Sequence, residues 1–244
     1  MAPWLVPDWP APASVRAVFT LRGQGPADGA SRGPWGFFNL GDHVGDELAA
    51  VAANRARLQQ ALGVRPVFLR QVHGTGVALL ERSMPDGKRA DAAISATPGL
   101  ACAIMVADCL PILLCDAQGQ RVAAIHAGWR GLAAGVVERT LAQFRALAPS
   151  AASPAQSPGE PEVLAWLGPC IGPATFEVGP EVRAAFVDAD PGADSGFIPG
   201  PPGKFLADLP ALARRRLARL GVTRVHGNEG GGDWCTMGGP ERFY

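Results

Sequence analysis

The sequence predicts an α+β architecture, one mixed β-sheet covered by helices. Three observations carry this. Short apolar or β-branched runs recur between Gly- and Pro-rich breaks, as strands do. Two longer segments, 46–62 and 131–147, place apolar residues at helical spacing instead. Some neighbouring runs, such as 111–115 and 121–126, are separated only by a turn, so helix-connected and directly connected strands share the sheet.

In chain order, residues 16–21 (RAVFTL) read as a first strand and 23–36 as a Gly-rich loop. The helix at 46–62 is set by Leu48, Val51, Ala52, Leu58 and Leu62 and ends at Gly63. Runs 66–71 and 76–80 are strands flanking a tight break at His73-Gly74-Thr75, which puts His73 at a strand end. Runs 100–106 and 111–115, interrupted by Ala107-Asp108-Cys109, and 121–126, after turn residues 116–119, read as adjacent buried strands. Leu132, Val136, Val137, Leu141 and Phe144 predict a single helix over 131–147, its free N–H groups facing the loop at 126–130. The Pro/Ser/Ala-rich segment 149–161 offers little to bury and is expected to be a flexible loop within a single catalytic domain spanning 1–244. A strand at 163–167 and helices at 180–186 and 209–220 complete the pattern.

Composition excludes several classes of function. A chain of 244 residues, 48% hydrophobic and 18% charged, can bury a sizeable core. Its 22 basic and 22 acidic residues cancel, so no long-range field favours nucleic acid or anionic membrane. The longest apolar stretch, 100–107, is far shorter than the ~20 residues that cross a bilayer. Residues 1–13 carry no Lys or Arg and are broken by prolines, unlike a signal peptide, so a cytoplasmic location is expected. Five cysteines in no framework spacing imply reduced thiols.

Three metal-capable residues stand where apolar runs break: His73, Cys109 and His126. Two imidazoles and a thiol are three soft or borderline ligands, the number a catalytic zinc needs while its fourth position holds water. Spacing alone leaves two other readings open: satisfied core histidines with a buried thiol, and a Cys nucleophile with a His base oriented by a carboxylate such as Asp108. Arg130, beside the expected helix start, suits a phosphate or carboxylate clamp, or a surface ion pair. The loop 39–46 lacks the lysine of a P-loop, and His43 in it, like His226, reads as a loop hydrogen-bonding residue. Cys102, Cys115, Cys170 and Cys235 read as small buried hydrophobes. Glu177, flanked by apolar residues, is expected to be either buried against a partner or functional.

The segments NLGDHVGD (39–46), RQVHGTGV (70–77), ADCLPILL (107–114), HAGWRGLAAGVVERT (126–140), LGPCIGPATFEVGPEV (167–182), DLPALARRRL (208–217) and CTM (235–237) together resemble one family. It is that of the multicopper polyphenol oxidoreductases or laccases, more recently viewed as purine nucleoside phosphorylases with adenosine deaminase activity. The resemblance implies an α+β fold with a mixed sheet bent into a half-barrel. It also implies a catalytic zinc on His73, Cys109 and His126. The family commonly continues past its CT motif with Arg-containing segments, whereas this sequence stops at Tyr244.

The expected activity is phosphorolysis of adenosine, inosine or methylthioadenosine, with deamination of adenosine beside it. Purine nucleoside and phosphate are the expected partners. Asp108 is the first candidate acid/base and Glu177 the second. Arg130 is the expected phosphate contact, and Asn39 and Gln71, with Arg130, are the expected substrate contacts. Two rivals remain at this point, a copper-dependent phenol oxidase and a non-catalytic metal-binding protein. Only four histidines occur, few for several copper centres.

Overall fold

The main sheet has six strands and is mixed, as predicted, and it is open rather than a closed barrel. The computed structural model describes residues 4–147 and 162–244, so the loop expected at 149–161 lies outside the described residues. In chain order the strands are β1 (Trp4–Leu5), β2 (Phe19–Thr20), β3 (Arg65–Phe68), β4 (Val77–Leu79), β5 (Ala92–Ser95), β6 (Leu100–Ala103), β7 (Leu110–Asp116), β8 (Val122–Ala127), β9 (Val163–Leu167), β10 (Glu177–Val178), β11 (Phe197–Pro199), β12 (Phe205–Ala207) and β13 (Arg224–Gly227). The helices are α1 (Leu48–Leu62), α2 (Trp129–Ala133), α3 (Val136–Ala146), α4 (Pro180–Val187) and α5 (Leu209–Arg219).

Strand order in the main sheet is β13-β9-β7-β8-β5-β4. Its central pairs are antiparallel, while β13–β9 and β4–β5 are parallel. Both faces of the centre are covered, which is why β7 and β9 read as continuous apolar runs rather than alternating ones. Val136, Val137, Leu141 and Phe144 of α3 pack with Ile112, Leu114, Ile125 and Leu167 in the principal core. Each such side chain contributes about 1.5–3 kcal/mol when fully buried.

Three expectations change. The run 100–106 does not pair with 111–115. Only Leu100–Ala103 is a strand, and it pairs in parallel with β3 in a separate two-stranded sheet. The first strand shortens to Phe19–Thr20, paired with β1. The helix predicted over 131–147 is two helices: α2 begins earlier, at Trp129, and stops before Gly135, whose φ of 93° breaks the helix and caps α3. Helix α1, by contrast, ends as read, with Gly63 in the left-handed region donating its N–H to the Gln59 carbonyl. Among the described residues no helix is long and apolar enough to cross a membrane.

Candidate metal centre

Strand register gathers the site at one end of four neighbouring strands. Cys109 immediately precedes β7, and His126 lies one residue from the end of the antiparallel β8, with Leu110 opposite Ala127 and Pro111 opposite His126. On the other side of β8, Ala92 pairs with Ile125, and the His126 N–H donates to the Asp91 carbonyl (2.7 Å) just before β5 begins. Parallel to β5 runs β4, and His73 and Gly74 lie in the loop before it. Residues far apart in sequence thus meet because β8 ends where β4, β5 and β7 start.

The ligand atoms of His73, Cys109 and His126 all lie within 4.8 Å of one another. Cys109 Sγ is 3.7 Å from His73 Nε2, and the two imidazole centroids are 4.6 Å apart. A sulfur and a nitrogen bound tetrahedrally to one zinc would be separated by about 3.6 Å, from bond lengths of about 2.3 and 2.0–2.1 Å. The donor set and its spacing therefore fit a zinc ion, and this is the one such group among the described residues.

Local backbone chemistry makes this convergence possible. His73 is the sole non-glycine residue with positive φ among the described residues, at 58°. Such a conformation is costly for a side chain with a Cβ and persists only when its surroundings enforce it. Gly128 leaves room beside the ligands, since a Cβ there would lie 2.7 Å from Cys109 Sγ and 3.0 Å from His73 Cδ2. Gly131 does the same for the neighbouring turn, where a Cβ would meet the Gly74 carbonyl oxygen at 2.9 Å.

Asp91 is the residue that the sequence reading misses. It is completely buried, yet its carboxylate is satisfied. Oδ1 accepts the N–H groups of Val72 (3.0 Å) and His73 (2.8 Å), and Oδ2 that of Gly74 (2.8 Å). Oδ1 also lies 2.9 Å from His126 Nδ1. Burial alone would raise this carboxyl, but the bond from His126 and the backbone N–H groups hold it below the ordinary carboxylate range. The signal available in the sequence was one charge at the head of the apolar run Ala90-Asp91-Ala92-Ala93-Ile94.

Burial pushes the Cys109 thiol up to about 11, with Asp108 and Asp91 adding to the rise and Arg130 opposing it. Burial, then the neighbouring His126, lowers His73 and favours its neutral form. Neutral imidazoles are ready ligands, whereas the thiol must lose its proton when a metal binds.

A cavity of about 1040 Å³ opens on all three side chains. Asn39, Gln71 and Asp108 line it, as does Thr236. The two amides, however, are committed to the protein. Asn39 bonds to both backbone groups of Gly41 and to Asp46, and Gln71 forms a paired bond with the Met105 backbone at 2.7 Å each way. Held in this way, they shape the cavity wall. Asp108 is exposed and accepts the Thr236 hydroxyl at 2.7 Å.

Two expectations are corrected here. Arg130 is inside the first turn of the five-residue α2 rather than ahead of a long helix, so the backbone N–H groups of α3 do not serve it. Its exposed guanidinium lies 4.3 Å over the Trp129 ring, near enough to act on His73 and Cys109 electrostatically. Glu177 is neither buried nor at the site. It is exposed on β10, opposite Leu206, and does not line the cavity, because its apolar neighbours pack inward while its own side chain takes the outer face. Cys115, Cys170 and Cys235 are free and buried as expected, and Cys102 is half-buried on the cavity wall.

A family model described as multi-copper polyphenol oxidoreductase laccase matches residues 16–244. Purine nucleoside phosphorylase PA4543 of Pseudomonas aeruginosa is 51% identical over 100% of this chain and 92% of its own length. Purine nucleoside phosphorylase YfiH of Escherichia coli is 46% identical over 100% of this chain and 93% of its own. Among solved structures, protein NMB0706 of Neisseria meningitidis superimposes with a TM-score of 0.87 at 43% identity, covering 99% of this chain and 91% of that one.

Proposed function

The chain belongs to the multi-copper polyphenol oxidoreductase laccase family, and from that premise we propose that it is a purine nucleoside phosphorylase. Its substrates are adenosine, inosine and methylthioadenosine, it also deaminates adenosine, and its zinc is held by His73, Cys109 and His126. The observation that carries the reading is the convergence of three zinc-type donors on one wall of the cavity. Relatives 51% and 46% identical over the whole chain are named purine nucleoside phosphorylases, which supports an enzyme of that kind.

In phosphorolysis a phosphate oxygen bonds to the anomeric carbon as the bond to the purine nitrogen breaks, and the departing base takes a proton. We assign that proton transfer to Asp108, a reading supported by its position on the cavity wall and its bond from the Thr236 hydroxyl. Arg130 supplies a planar cation for the phosphate. In deamination a water oxygen replaces the exocyclic amino group, which leaves as ammonia, and Asp108 serves as the proton carrier again. A bound zinc would supply Lewis acidity and a water that ionises near neutral pH. A multi-copper oxidase, by comparison, uses several His-rich centres, and the described residues offer one three-donor group.

The test is purified protein of measured metal content, assayed against a nucleoside panel with and without phosphate. Free base and ribose 1-phosphate, formed only with phosphate, are expected. Base released without phosphate would make the protein a hydrolase. Phenol oxidation by copper-loaded protein, with no nucleoside turnover, would restore the oxidase reading.

A further inference from the structure

We propose that Asp91 is the positioning residue of the metal centre, one buried carboxylate that orients two of the three ligands, His126 on β8 and His73 in the loop before β4. The proposal rests on the metal reading above and goes beyond it, because Asp91 touches no part of the cavity and is not itself among the three convergent donors.

The first half of the argument concerns His126. Its Nδ1 lies 2.9 Å from Asp91 Oδ1, and a carboxylate can only accept, so Nδ1 carries the proton. The Nε2 lone pair is then free on the cavity side, as a metal ligand requires. The backbone bond from the His126 N–H to the Asp91 carbonyl joins the same two residues a second time, so main chain and ring are each tied to Asp91 while Nε2 stays free.

The second half concerns His73. Its left-handed backbone is not favoured by its own side chain, and no glycine occupies the position. Three successive N–H groups, of Val72, His73 and Gly74, converge on the Asp91 carboxylate and hold the turn. Without that acceptor the three donors would be left unsatisfied, and the turn would be free to relax toward ordinary φ, swinging the His73 ring away from Cys109. All four bonds are intramolecular. The carboxylate is thereby shared between a histidine ligand and the loop that presents the other histidine.

The experiment compares Asp91→Asn with wild type by competition titration with Co²⁺ and Zn²⁺, and reads the His126 tautomer by ¹⁵N NMR of metal-free wild-type protein. An asparagine keeps the shape but turns one acceptor into a donor, facing either Gly74 or the Val72 and His73 N–H groups. Metal affinity should fall about 10–100-fold, with a changed visible spectrum of the Co²⁺ form. Phe144→Leu, a core change in α3 distant from the strand ends, serves as the control for general destabilisation: it should lower the melting temperature and leave Co²⁺ affinity unchanged. The tautomer measurement needs no variant to fold, and protonation at Nδ1 is expected. A proton on Nε2, or Co²⁺ binding by Asp91→Asn within twofold of wild type, would overturn the proposal. Wild-type protein that takes up neither ion would overturn the metal reading and the proposal together. Neither readout involves a nucleoside, so failure of the phosphorylase assay is a separate result.

Discussion

Substituting Gly128 with alanine isolates the packing of the metal centre from backbone effects. Gly128 has φ −63° and ψ 156°, an extended conformation that alanine adopts freely. The methyl group would be placed 2.7 Å from Cys109 Sγ and 3.0 Å from His73 Cδ2. Non-bonded heavy atoms prefer roughly 3.5–4.0 Å, so the overlap with sulfur is about 1 Å. Two effects oppose each other. Loss of glycine's freedom in the unfolded chain stabilises by about 0.4–1 kcal/mol, whereas overpacking costs about 1–3 kcal/mol. The steric term wins by about 1–2 kcal/mol, which for a chain of this size lowers the melting temperature by roughly 2–8 °C. The same displacement separates sulfur from imidazole, and disturbing the surroundings of metal ligands typically costs about 10–100-fold in metal affinity. Calorimetry of metal-free protein and zinc competition against a chromophoric chelator read the two effects. A variant that melts higher than wild type and binds zinc equally well would show that Gly128 does not press against Cys109 and His73, and the reasoning would fail.

Cys109→Ser should lose most of its zinc per chain by elemental analysis, since a hydroxyl replaces a thiolate poorly as a ligand; unchanged content would remove Cys109 from the ligand set. Arg130→Ala should raise the KM for phosphate with metal content intact and hurt deamination less, because water replaces phosphate there. Equal loss of both activities at saturating phosphate would make Arg130 structural. Far from the site, Asp190 accepts a forked pair of bonds from Arg215 (2.6 and 2.7 Å) and is paired with Arg219 (2.7 Å), and the Arg215 bond holds its carboxyl well below the usual range. Its stabilisation is therefore present above the unfolded value of 3.8 and is lost as pH falls below it. Asp190→Asn should unfold at lower urea than wild type at pH 6, with the gap narrowing toward pH 3 and zinc content unaffected at pH 6. A gap independent of pH would show that the ion pair is not its source.

Much of the fold was legible locally. Helices α1 and α5 and strands β7, β8 and β9 fall within two residues of the predicted spans, because apolar spacing and a terminal glycine act over a few residues. The failures were of longer range or finer grain. The run 100–106 looked like a neighbour of β7 but pairs with β3, a choice made by parallel register across some thirty-five residues of chain that no local pattern records. Gly135 divides the helix predicted over 131–147 because its left-handed φ is not apparent from apolar spacing, which continues across it.

The candidate centre divides along the same line. The sequence by itself determined the donor types: two imidazoles and a thiol at the ends of apolar runs, in motifs specific enough to point to a family. Asp108 and Glu177 stood there as first and second candidates for the acid/base, both carboxylates near apolar residues. Only the tertiary structure sent one to an exposed edge and the other to the cavity, because strand pairing decides which face each side chain takes. Asp91 was missed for the same reason. Its meaning lies in the register that sets the start of β5 against His126 on β8, and in the loop before β4 that donates three N–H groups to it. Chemistry of the donors is carried by single residues, but a hydrogen-bond network is a property of chain segments brought together, and long-range pairing alone brings these together.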